Sequence, residues 1–183
     1  MNIETIKTLD GQEVYRCSCC GKEFKQLPFC IGAEFPDYYF SVPEEEIENR
    51  VHFTKDLCVI DDEYFFIRGR INIPIIDYPE SFAFNIWTTL SESSFMRVQE
   101  LWNNPERVNE PPYFGWLNTK IPTYNCSENI KTNVHTTSLE FIPEIKIIEE
   151  NHQLKVDQDN GITLQKAFEI LEVVMPGFHN KEE

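Results

Sequence analysis

Polar and apolar side chains alternate through Arg70-Ile71-Asn72-Ile73, the period of two that marks a half-buried strand, and Pro74 interrupts that ladder. β signal begins earlier, at Leu57-Cys58-Val59-Ile60, turns at Asp61-Asp62-Glu63 and resumes over Tyr64 to Gly69, which predicts a hairpin. Phe82 to Leu90 supplies a further strand with Phe82, Phe84 and Ile86 on one face. Nothing between these strands is long enough for a helical crossover, so the sheet is expected to be mainly antiparallel. After Ser91, an N-cap residue, the period changes: Phe95, Val98 and Trp102 recur at three and four, the stripe of a helix laid on the sheet, which Pro105 ends. Thr163 opens a final helix whose apolar face is Leu164, Phe168, Leu171 and Met175, stopped by Pro176-Gly177.

Weaker patterns fill the rest. Residues 12–16 read as a short strand, and Pro36 to Phe40 as an aromatic one. Ser41 with Glu44 three residues on is a capping-box pattern for a brief helix, with Pro43 in its first turn and Ile47 and Val51 as its contact line. Tyr113 to Leu117 is a compact aromatic strand expected in the core, and Lys131 to His135 and Leu139 to Ile148 look extended. The expected fold is α+β: a curved, mostly antiparallel sheet with two or three packed helices and an N-terminal cysteine knuckle. The expected organisation is one domain over 1–183, with a knuckle segment at 12–32 and a polar tail at 178–183.

Composition narrows the functions. The 183 residues carry 14 Phe, 7 Tyr and 3 Trp, enough bulky apolar surface for a real core. Against 16 Lys and Arg stand 31 Asp and Glu, a formal charge of -15 that argues against nucleic-acid or anionic-membrane partners. It suits solubility, or an acidic face that docks a basic protein. Residues 1–11 include Glu4 and Asp10 and have no apolar core of a secretory signal, and the most apolar runs are strand-sized, so a cytoplasmic protein is expected. In that compartment the six Cys read as thiols, core residues or metal ligands rather than disulfides.

The densest chemistry is Cys17-Ser18-Cys19-Cys20-Gly21. Cys17 and Cys20 form a C-x-x-C pair closed by a glycine, half of a tetrahedral zinc site. No second C-x-x-C or H-x(3-5)-H follows. The missing ligands would come from Cys19, Cys30, Cys58, His52, His135 or His152, and the competing reading is a metal-free packed segment. His135 and His152 both follow strand-like segments that a sheet can bring together, whereas Cys30, between Phe29 and Ile31, reads as a small buried hydrophobe. Glycine-rich phosphate loops, a G-x-S-x-G elbow and H-E-x-x-H are all absent. Arg68 and Arg70 in the β segment mark another place for a pocket, with Arg68 expected to meet a carboxylate at a sheet edge.

Taken in order, Cys17 to Gly21 with Leu27-Pro28, Asp56 to Asp61, Phe65 to Gly69, Leu90-Ser91-Glu92, Pro112 to Leu117, Val134-His135-Thr136 and Gly161-Ile162-Thr163 resemble a bacterial family, domain of unknown function 2199. The resemblance implies a bacterial cytoplasmic protein of one domain and supplies no reaction, substrate or catalytic residue. Many members carry a His where this chain has Phe24, so a metal set that includes that His is not implied here. The leading expectation is a non-enzymatic acidic interaction protein, of inhibitor or immunity type, with zinc at Cys17 and Cys20 as its candidate cofactor. The alternative is a metal-dependent enzyme or small-ligand-binding protein built on the knuckle and a His.

Overall fold

The computed structural model describes residues 3–7, 13–17, 20–25 and 27–176. It is α+β, with a mostly antiparallel sheet, as the hydrophobic pattern predicts. Strands β1 (Ile3–Lys7), β2 (Glu13–Cys17) and β3 (Glu23–Phe24) form a small antiparallel sheet of their own. The large sheet is built from β4 (Cys30–Gly32), β5 (Val51–Phe53), β6 (Leu57–Ile60), β7 (Tyr64–Pro74), β8 (Ser81–Leu90), β9 (Tyr113–Trp116), β10 (Lys131–His135) and β11 (Glu144–Ile147). Its order is β4-β8-β7-β11-β10-β9, with the β5–β6 hairpin paired to the start of β7. The sheet curves until Leu117 bridges Thr88 on β8, yet it does not close.

The long β7–β8 ladder pairs Phe65 with Leu90 through Pro74 with Ser81. Asp61 and Asp62, at φ 57° and 53°, make the tight turn into β7, a conformation their short polar side chains tolerate. Two pairings depart from the expected antiparallel rule: β4 runs parallel to β8, and β11 meets β7 in parallel at Glu144–Arg70. Both partners are distant in sequence, so the chain reaches them by long excursions that no local pattern announces.

Strand alternation divides the sheet into two faces. Ile67, Ile71 and Ile73 of β7 with Phe82, Phe84 and Ile86 of β8 are buried under three helices: α2 (Glu92–Glu100), α3 (Gln153–Asn160) and α4 (Leu164–Val174). Those helices supply Phe95, Val98, Leu154, Ala167, Phe168 and Leu171 to the same core. Ser91 and Thr163 cap α2 and α4, accepting from the amides of Ser94 and Lys166 at 3.2 Å. The other face carries a second, smaller core of Phe66, Trp87, Cys58 and Ile60, roofed by residues 33–51. That roof includes the single-turn helix α1 (Ile47–Arg50). Beyond its end the same face of β7 continues as Arg68, Arg70 and Asn72.

Three local expectations are corrected. Pro36 to Phe40 is not a strand: residues Asp37–Ser41 form a 3-10 helix, because Asn118 binds the amides of Asp37 and Tyr38 where a ladder partner would stand. Ser41 does not cap the brief helix; its hydroxyl donates to the Tyr38 carbonyl, and Val51 already belongs to β5. Tyr113 to Leu117 is only half core, since Tyr113, Gly115 and Leu117 point inward while Phe114 and Trp116 are 47% and 41% exposed, packed edge to face at 5.3 Å. Helix α3 has no apolar stripe: it buries Leu154 with Asp157 and Gln158. Its Gln158 accepts from the Ile147 amide and donates to the Ile145 carbonyl, both at 2.8 Å, filling the edge of β11 past its bridge to β7.

Candidate functional site

The polar face of β7 is the floor of a cleft of about 590 Å³. Arg68, Arg70 and Asn72 project from alternate positions of one strand. Register then lays a polar row across four strands: Gly32 on β4 opposite Asn85 on β8, Asn85 opposite Arg70, and Arg70 opposite Glu144 on β11. The opening exists because the far side of β7 passes from β6 to β11. The Arg68 amide donates to the Asp56 carbonyl and the Arg70 amide to the Pro143 carbonyl, both at 2.8 Å, and neither belongs to a strand. Lys55 and Asp56 form one lip over this gap, and Glu140 and Phe141 the other.

Two glycines make the packing possible. A Cβ on Gly69 would lie 2.5 Å from Ile145 side-chain atoms, so β11 can approach β7 only over bare backbone. A Cβ on Gly32 would lie 3.0 Å from Arg68 Nη2, which places the Arg68 guanidinium across β4.

The cleft gathers three cations that stand in no ion pair among the described residues. Arg16, Arg50, Arg97, Lys131, Lys146, Lys155 and Lys166 all stand in ion pairs. Among the described residues Lys25, Lys55, Arg68, Arg70, Arg107 and Lys120 have no carboxylate within 4.0 Å, and three of these, Lys55, Arg68 and Arg70, line the cleft; Arg70 faces Glu144 in register, but Glu144 turns to Lys146 at 2.7 Å. Arg68 does not meet the carboxylate expected at a sheet edge: it lies on a central strand, and its buried Nε has no hydrogen-bond partner. Arg70 Nε donates to Asn85 Oδ1 at 2.9 Å, and its Nη2 lies 3.8 Å from Cys30 Sγ. Asn85 Nδ2 also reaches that sulfur, at 3.5 Å. Cys30 is therefore exposed beside the polar row and not the buried hydrophobe its neighbours suggest, since Phe29 and Ile31 take the opposite face.

The wall at 137–142 is held from beneath by Arg107, which is 4% exposed. Its guanidinium donates to the carbonyls of Thr137 (2.7 Å), Ser138 (2.8 Å), Phe141 (2.8 Å) and Trp102 (2.9 Å). Burial lowers its pKa from the ordinary arginine range, opposed by the nearby Asp56 charge. Nothing in the sequence around Arg107 marked it.

The residues singled out from sequence fall elsewhere. Cys17 is buried at the end of β2 and Cys20 is half-buried; the Gly21 amide donates to the Cys17 carbonyl at 2.7 Å, with Gly21 at φ 72°. Ser18, Cys19 and the tail at 178–183 lie outside the described residues. Among the described residues no three His, Cys, Asp or Glu gather as a metal set, and Lys22 Nζ sits 5.6 Å over the ring of Phe24. Cys58 is buried under the roof of the second core, where desolvation pushes its thiol up to about 11. His152 is a cap: its Nδ1 accepts from the Leu154 amide at 3.2 Å, and its Nε2 lies 3.0 Å from the Asn125 carbonyl oxygen. His135 is half-buried on β10 and His52 exposed on β5. Among the described residues no helix is long and apolar enough to cross a membrane.

The model of a family described as "uncharacterized protein conserved in bacteria (DUF2199)" matches residues 16–162, and the chain belongs to that family. No curated protein and no solved structure matches it.

Proposed function

We propose that this member of an uncharacterized bacterial family binds a small molecule through an anionic group held by Arg68 and Arg70, with Lys55 at the mouth of the cleft. The observation that carries this is the gathering in one cleft of three cations that have no carboxylate partner among the described residues, in a chain of 31 Asp and Glu against 16 Lys and Arg. Paired guanidinium forks suit a carboxylate or phosphate, which they bind with two parallel hydrogen bonds. A cleft of about 590 Å³ has the volume of a small-molecule site. This moves the small-ligand reading from the knuckle to the sheet. Titration with inorganic phosphate and with acetate, followed by backbone amide shifts, is expected to give saturable changes at 68–72 and 85, lost in Arg68→Gln and Arg70→Gln. Shifts that stay linear in concentration, or survive both substitutions, would refute it.

A second reading, docking of a basic protein, is favoured by one feature. Arg50 pairs with both Glu46 and Asp61, which ties the segment of the exposed Glu44, Glu45 and Glu48 to the turn of the exposed Asp62 and Glu63. Retention on an immobilised cationic peptide should fall with salt and be lost on reversing Glu45, Glu48 and Asp62 to Lys. Equal loss on reversing Glu128, Glu150 and Glu169 would reduce the effect to net charge.

A further inference from the structure

We infer that the ligand of this cleft is a zwitterion, with an ammonium group as well as the anion; this rests on the anion-binding reading above. The cleft is lined by three carboxylates as well as three cations: Asp56, Glu140 and Glu144 against Lys55, Arg68 and Arg70. None of the three cations pairs with any of the three carboxylates. Glu144 is satisfied by Lys146, but the carboxylates of Asp56 and Glu140 make no ion pair or hydrogen bond among the described residues. Asp56 Oδ1 and Arg68 Nε are both sealed from solvent and both without a partner.

Opposite charges that come near one another gain Coulomb energy by closing, as Arg50 does on Glu46 and Asp61 and Arg97 on Glu100 and Glu110. Here the backbone keeps them apart. Arg68 and Arg70 are fixed to the floor by the β7 ladder, Asp56 belongs to the lip before β6, and Glu140 rides on the wall that Arg107 holds. A ligand that was only an anion would meet repulsion from Asp56 and Glu140 as it approached the arginines. An ammonium carboxylate turns that repulsion into a second attachment, its carboxylate on the guanidinium groups and its ammonium towards Asp56 and Glu140. The chemical class is therefore an amino acid or a similar small ammonium carboxylate.

The test is a matched series at low ionic strength, read by backbone amide shifts of the full chain: glycine, β-alanine, γ-aminobutyrate and ε-aminocaproate against acetate, propionate, butyrate and caproate. At least one amino acid is expected to bind about tenfold tighter than its alkanoate, a gain that falls below about threefold in Glu140→Gln or in Asp56→Asn. Glu140 is exposed, so its substitution leaves the fold intact, and with its repulsion removed alkanoates should bind Glu140→Gln more tightly. Alkanoates that bind as well as every amino acid, or a gain that survives both substitutions, would overturn the zwitterion while leaving the anion site standing. No saturable shift at 68–72 with either series would overturn the anion site itself.

Discussion

Replacing Arg107 with Met should uncouple the cleft wall from the rest of the molecule. The guanidinium gives four hydrogen bonds of 2.7 to 2.9 Å to carbonyls of Trp102, Thr137, Ser138 and Phe141, and Trp102 lies under it, its ring centroid 5.4 Å from Cζ. Hydrogen bonds to a charged group are each worth about 1.5–3 kcal/mol, so four represent about 6–12 kcal/mol gross. Two terms offset that. A buried charge costs several kcal/mol of desolvation, which Met does not incur. The carbonyls of the exposed Ser138 and Phe141 can also turn to water once released. A net loss of about 3–4 kcal/mol remains, the usual size for breaking a buried charged network. Arg107→Lys keeps the charge but offers three donors and no planar fork, and should lose about 2 kcal/mol. Urea unfolding at unchanged m-value measures both. Hydrogen exchange should show 137–142 opening first, because those residues lose their anchor while the sheet does not. A midpoint for Arg107→Met within about 1 kcal/mol of wild type would mean that water replaces the guanidinium, and the wall would need another explanation.

Further outcomes follow from the same geometry. Gly32→Val places a branched side chain where Arg68 Nη2 now lies 3.0 Å from the missing Cβ; anion affinity should fall about tenfold, while stability changes by about 1 kcal/mol or less because the displaced group is a flexible tip, and unchanged affinity would remove Arg68 from the site. With iodoacetamide at pH 8, Cys30 should be alkylated well before Cys58, whose thiol is pushed up to about 11 by burial. The neutral thiol is the form the fold favours, so Cys58 adds a loss of stability as pH rises from 9.0, its ordinary value, through about 11. Cys58→Ala should flatten that alkaline loss, and an unaltered profile would assign it elsewhere. Protein purified without added metal should hold well under one zinc per chain, and stoichiometric zinc lost in Cys20→Ser would establish the knuckle as a metal site.

What was legible in the sequence was what lies within one strand or one turn of helix. The alternation at Arg70-Ile71-Asn72-Ile73 announced a half-buried strand and so put an arginine and an asparagine on a single face, and Ser91 and Thr163 announced two helix starts that the structure bears out. The partners of that arginine were not legible. Asn85 and Glu144 come from strands 15 and 74 positions beyond Arg70, and the second is reached by a parallel bridge with no local signature. Helix α3 escaped because its reason for being helical is the Gln158 amide on β11, not an apolar stripe. The run Pro36 to Phe40 misled for the opposite reason: its aromatic composition suits a strand, but Asn118 and a proline bend it into a roof.

The polar row also sets an order of events. Its residues arrive on β4, then β7 and β8, then β11, and the wall that faces them ends only at residue 142, so most of the polypeptide must be synthesised before floor and wall are both in place. Such long sequence separations are slow to close, and until the parallel strand at Glu144 docks, the arginines face water on an unfinished edge. A small molecule that needs both floor and wall will favour the finished chain over every earlier intermediate, by an amount set by its concentration relative to its dissociation constant. For the ligand proposed above, abundance in the cell would then govern how much of this protein survives proteolysis.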